Sequence, residues 1–286
     1  MSNRRKRLSE PATQPMLPDD EAPLDAAALD AFLQGMGTDM VLVGGQALAF
    51  WMDRYGVMPA QATVSNDGCA LGKLQRAQRI ATDLRAALLA PQAHELTSLV
   101  AQIRVPTGLQ GKGRNIDVLH MLYTVSGLRR SREFTQAVWR ESLEMEWKPG
   151  HRIRVMHPMH VLDSRVQNAV GLLESKGPHV VTQAIWAVDV AREAFRRVLQ
   201  QPDEGKRLGT MIRQVHNLAR SRAGRQILRE HGIEVLDAVP IEEIRAVAPV
   251  HEPQLRAVER TLVARAAGSV VGRSGGRKGL SRRLAP

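Results

Sequence analysis

The apolar residues 40–43 run straight into Gly44 and Gly45, and residues 46–55 then place Leu48, Trp51 and Met52 at helical spacing. This order predicts a strand, a glycine turn and a helix. A helix that opens on two glycines exposes its first amide N–H groups to any group that approaches, with the helix dipole favouring an anion. The same pair also serves as a plain tight turn. Neither a Walker loop nor a dinucleotide-binding fingerprint is present, so the glycines alone do not choose between the two readings.

Further along the chain, residues 25–35 read as a first helix with Asp25 as its cap and Leu29, Phe32 and Leu33 on one face. Residues 62–71 read as a strand. Leu74, Ala77, Ile80, Ala81, Leu84 and Leu88 then keep a period near 3.6, predicting a helix over 74–88. Residues 99–105 and 115–123 flank a loop at 107–114 with three glycines, which suits a hairpin. A small mixed sheet follows from these pieces.

From Ser131 onward the pattern reads as helical and carries Trp139, Trp147 and Trp186, broken at Pro149 and Gly150 before a short apolar stretch at 153–156. Pro158 suits the first turn of a helix continued by Leu162, Val166, Val170 and Leu173, and residues 181–199 repeat the scheme. The expected fold class is α/β (α+β) with a small mixed sheet, followed by a mainly helical C-terminal domain. The expected divisions are a disordered leader at 1–23, an α/β domain at 24–125, a helical domain at 126–267 and a basic flexible tail at 268–286.

The net charge of +11 concentrates at the ends. Taking away Arg4, Arg5, Lys6 and Arg7 at one end and Arg273, Arg277, Lys278, Arg282 and Arg283 at the other leaves +2 for everything between. Such tails either remain solvated or contact nucleic-acid phosphates by counterion release. The single cysteine, Cys69, excludes an intramolecular disulfide, and no Cys/His spacing suggests zinc. No signal-peptide pattern and no stretch near 18 apolar residues is found, so the expected protein is cytoplasmic with no membrane contact.

Asp67 and Asp117 are the residues that suggest chemistry. Strand alternation would project Ser65, Asp67 and Cys69 from one face, and Asp117 on a neighbouring strand could join them around a hard divalent cation. Two unrelated strand-borne aspartates are the competing reading. His157 and His160 flank Pro158 and read as packing where the helix begins rather than as metal ligands.

Four segments together resemble the nucleotidyltransferases of the AbiEii/AbiGii toxin type, within the polymerase-beta-like superfamily, over roughly residues 38–200. They are VLVGGQALAFW at 41–51, TVSNDGCALG at 63–72, NIDVLH at 115–120, and MHPMHVLDSR at 156–165 with Asn168 and Lys176. The resemblance implies a nucleotidyltransferase fold with Gly44, Gly45, Ser65, Arg165 and Lys176 toward a nucleoside triphosphate. It also implies Asp67 and Asp117 as catalytic carboxylates holding Mg²⁺ or Mn²⁺. The implied activity is transfer of a nucleoside monophosphate to an RNA or protein acceptor, in a toxin–antitoxin or phage-defence setting with an antitoxin partner. One departure stands out: where the family carries a second Asp, this chain has Cys69, and a neutral thiol holds Mg²⁺ poorly. The competing expectation is therefore a catalytically degenerate member that binds nucleotide, nucleic acid or a partner protein.

Overall fold

The computed structural model describes residues 24–57, 67–92, 94–106, 113–201 and 205–274, with side chains up to residue 267. The chain begins with α1 (Ala26–Met36), β1 (Val41–Leu42), α2 (Gly44–Tyr55), β2 (Gly68–Leu71) and α3 (Leu74–Asp83). Next come β3 (Ala87–Leu89), β4 (Leu99–Pro106), β5 (Gly113–Leu119), α4 (Leu128–Glu141), β6 (Leu143–Lys148) and β7 (His151–Val155). The remainder is helical: α5 (Pro158–Gly171), α6 (Leu173–Lys176), α7 (His179–Leu199), α8 (Gly205–Arg220), α9 (Arg222–His231), α10 (Ile241–Val247) and α11 (Glu252–Ser274), with two short 3₁₀ turns flanking α10.

The strands form one mixed seven-stranded sheet in the order β3-β4-β5-β2-β1-β7-β6. β1 sits near its middle, antiparallel to β2 and parallel to β7, while β2 runs parallel to β5. Val41 and Leu42 are only two residues long as a strand, yet both are buried and paired on both sides. Trp51 fastens the helix that follows: its indole N–H donates to the Met156 carbonyl at 2.8 Å, tying α2 to the end of β7.

α1 starts as its cap predicts, with the Asp25 carboxylate accepting from the Ala28 N–H at 2.7 Å. Its apolar face, Phe32, Leu33 and Met36, is buried, and the helix packs against α3. α2 lies against β2, α5 and α7, and α5 packs along α7. No helix among the described residues is long and apolar enough to cross a membrane.

Three sequence expectations are corrected. The helix expected to reach Leu88 ends at Asp83; Arg85 takes φ 50°, and Ala87–Leu89 joins the sheet edge, where Leu88 pairs with Ile103. Helical spacing of Leu84 and Leu88 was outweighed by an available sheet edge. Residues 143–148, read as a continuing helix that includes Trp147, are strand β6, with Leu143, Met145 and Trp147 half-buried and Glu144, Glu146 and Lys148 facing out. Pro149 and Gly150 make its hairpin turn, with Gly150 at φ 76° donating its N–H to Glu146. Finally, Arg165 and Lys176 do not share one helix, because α5 stops at Gly171 and Lys176 closes the separate α6.

The described part of the strand expected at 62–71 begins at Gly68, and residues 62–66 lie outside the described residues. Two of the seven strands, β6 and β7, come from the segment assigned by sequence to the helical half.

Candidate functional site

The candidate site is a row of side chains crossing the sheet. Gln102 of β4 is in register with Asp117 of β5, and Asp117 is in register with Cys69 of β2. Beside Cys69 the row ends at the turn from β1 into α2, where the Val43 N–H donates to the Cys69 carbonyl at 3.0 Å. Register neighbours in a sheet share a face, so Gln102, Asp117 and Cys69 project together, half-buried, while Gly68, Ile116 and Val118 turn to the core. Gln102 donates its amide N–H to Asp117 Oδ1 at 2.9 Å, which fixes that carboxylate.

Asp67 stands one residue before β2, on the β5 side of the row. Its Oδ1 accepts from the Asn115 N–H at 3.3 Å. Burial raises its pKa above the ordinary value; the Asn115 bond and the Arg114 charge oppose this, Asp117 adds to it, and Lys176 opposes it again. Asp67, Asp117 and Lys176 thus lie within electrostatic reach of one another.

Cys69 lies between the two aspartates along this surface. Its thiol is pushed up to about 12 by burial and next by the Asp117 charge, with Lys176 and Arg165 acting in the opposite direction. At neutral pH it is a protonated thiol and a poor ligand for a hard cation.

Gly44 has φ +70°, a conformation L side chains rarely adopt, and it packs on this cysteine. A Cβ built on Gly44 would stand 3.2 Å from Cys69 Cβ and 3.6 Å from its Sγ. The absent side chain is what lets the first turn of α2 lie against the row. Gly45 follows within that turn and is buried.

Arg165 of α5 is 6% exposed and donates through Nη1 to Gln183 at 2.9 Å and through Nη2 to Ser164 at 3.1 Å. Its buried Nε has no hydrogen-bond partner. Burial pulls its pKa down to about 10, and Cys69 is the one ionisable group acting against that. Lys176 is exposed at the end of α6, where its charge reaches both Asp67 and Cys69. Ser65 lies outside the described residues.

The structure therefore gathers Gly44, Asp67, Asp117, Lys176 and Arg165 around Cys69. Among the described residues no three His, Cys, Asp or Glu side chains converge as a metal-holding group. Sequence reading missed Gln102 and Asn115, which hold the two aspartates in place. Gln102 was within reach of it, since pairing the two arms of the predicted hairpin sets Gln102 opposite Asp117. His157 and His160 serve packing: His157 caps α5 by accepting from the Met159 N–H at 3.2 Å, and His160 bonds to Glu141 at 2.9 Å.

Two cavities, of about 350 and 250 Å³, lie elsewhere in the molecule, and neither is lined by Asp67, Cys69 or Asp117. In comparisons with known proteins, no family model matches this chain and no curated protein matches it.

Proposed function

We propose that this chain is a nucleotidyltransferase-fold protein that binds a nucleoside triphosphate over the first turn of α2 and moves its nucleoside monophosphate to an RNA or protein hydroxyl. The single observation that carries this reading is the register of Cys69 with Asp117, with Asp67 beside them and a positive-φ glycine against the cysteine. A helix N-terminus without side-chain cover can take phosphate oxygens, and a cation such as Lys176 at the rim opposes their charge. Asp67, with its raised pKa, is suited to accept the proton of the attacking hydroxyl.

Asp67 and Asp117 supply hard oxygen donors that fit one Mg²⁺ or Mn²⁺ ion, since such ions commonly take one or two carboxylates and complete their shell with substrate phosphates and water. The ion would neutralise triphosphate charge. Gln102 holds the Asp117 carboxylate and Asn115 the Asp67 carboxylate, so both are oriented without it. A toxin or phage-defence role with an antitoxin partner in the cytoplasm belongs to the same proposal and rests on the four sequence segments.

A second reading is favoured by one observation, the protonated Cys69 thiol between the carboxylates: nucleotide is bound and not turned over. One experiment separates the two. The full chain is incubated with each labelled nucleoside triphosphate, Mg²⁺ or Mn²⁺ and total RNA or protein. Label transfer lost in Asp67→Asn and Asp117→Asn supports transfer. Triphosphate binding without transfer, with transfer gained in Cys69→Asp, supports the second reading. No binding and no transfer in any variant rejects both.

A further inference from the structure

The larger cavity, about 350 Å³, opens at the far end of α2, eleven residues from Gly44 and hence about 16 Å away along the helix axis. Its walls come from the last turn of α2, the edge strand β6, the start of α5, the end of α7 and α8. Three guanidinium groups line it: Arg54, Arg197 and Arg207. All three act on the hydroxyl of Tyr55, which burial nonetheless holds protonated, with a pKa raised to about 12. The one carboxylate on the wall, Glu144, is already paired with Arg152 at 3.1 Å.

The cavity also has a flat side. Tyr55 and Trp51 lie 5.1 Å apart between ring centroids with planes 32° apart, and the Arg197 guanidinium sits 5.7 Å over the Tyr55 ring. Trp51 cannot swing away, because its indole is bonded to the Met156 carbonyl. Opposite stands His157, pulled down to about 3 chiefly by burial and therefore neutral. Its two ring nitrogens both face donors, the Met159 N–H at 3.2 Å and Arg207 Nη2 at 3.3 Å. A neutral imidazole accepts at one nitrogen only, so one of those donors is better satisfied by an acceptor from outside the protein.

We infer that this cavity is a second binding site, for a small phosphate ester with a flat ring, of the nucleoside monophosphate class. Three positive charges exceed what one carboxylate would balance, while a phosphate monoester brings close to two negative charges and three acceptor oxygens suited to guanidinium forks. The Tyr55 ring offers a stacking surface, and Met145, Val198 and Met211 make the remaining wall apolar. The volume accommodates one such molecule and not a strand. This site uses none of the residues assigned to triphosphate binding, so it stands or falls separately.

The test is calorimetric titration of the full chain, in EDTA, with AMP, GMP, CMP and UMP, with adenosine, and with an oligonucleotide carrying or lacking a 5′-phosphate. At least one monophosphate should bind at one equivalent, and adenosine should not. Arg54→Gln and Arg197→Gln, both at exposed positions and expected to fold normally by circular dichroism, should each weaken binding about tenfold, the ordinary worth of a charged hydrogen bond. Asp117→Asn should leave it unchanged. The inference is overturned if no monophosphate binds, if only the 5′-phosphorylated oligonucleotide binds, if both arginine variants bind like wild type, or if Asp117→Asn abolishes binding.

Discussion

Replacing Gly44 with alanine tests the packing that brings α2 onto the sheet row. Two costs add. Holding an L residue at φ +70° costs about 1–2 kcal/mol relative to glycine. The new Cβ would also sit 3.2 Å from Cys69 Cβ, tighter than almost all real contacts. Cys69 lies in a strand paired on both sides, by β1 and β5, so it cannot easily withdraw, and overpacking of this kind costs about 1–3 kcal/mol. The sum is about 2–4 kcal/mol, a large fraction of the roughly 5–15 kcal/mol that holds a domain folded. Urea unfolding followed by circular dichroism measures it, provided the slope is unchanged between variants. A cycle with Cys69→Gly isolates the contact, since that change removes the atoms the new methyl meets. The reasoning is refuted if Gly44→Ala costs less than about 1 kcal/mol, or if the cycle shows no coupling between the two positions.

Three further outcomes are expected. His157, with a folded pKa near 3 against an ordinary 6.5, binds fewer protons folded than unfolded between those values, so stability contributed by its neutral form is lost as pH falls through that window. Urea unfolding at pH 8 and pH 5 should differ by about 1–2 kcal/mol more in wild type than in His157→Asn, and equal differences would contradict this. Asp67 has the opposite sign for a carboxylate: its folded pKa is raised, so its contribution is fullest below its ordinary value of 3.8 and is lost as pH rises through the folded value. Asp67→Asn should therefore gain stability relative to wild type on going from acid to neutral pH, read from the difference between the two pH profiles. Trp51→Phe deletes the donor to the buried Met156 carbonyl and should cost about 1–3 kcal/mol by thermal or urea unfolding, with a loss under about 0.5 kcal/mol arguing that the bond contributes nothing.

Local signals carried much of this architecture. Residues 40–55 read correctly as strand, glycine turn and helix because an apolar run, two glycines and a 3.6 period agree there. Asp25 as a cap and Pro158 in a first turn were legible for the same reason, since each acts within one turn of its own helix. Strands β3 and β6 were not, because short segments with mixed polarity take their conformation from a partner strand that sequence spacing does not reveal. At the candidate site, Asp67, Asp117 and Gly44 stood out by residue type, whereas their mutual approach depends on register between strands distant in sequence. Arg165 was expected at the surface of a shared helix face with Lys176. It is instead buried on a helix of its own, held by Gln183 from α7.

The two-residue strand β1 has a bearing on how this chain can be cut. Its outer neighbour, β7, is made long after it, and until Arg154 and Val155 arrive the backbone groups of Val41 and Leu42 have pairing on one side alone. A fragment stopping at residue 125 would present that open seam in the middle of an apolar sheet, inviting another copy to fill it. In the whole chain the outermost position instead falls to β6, whose Glu144, Glu146 and Lys148 guard the border with charge. Any attempt to produce the glycine-bearing half by itself should therefore carry residues 143–155 with it.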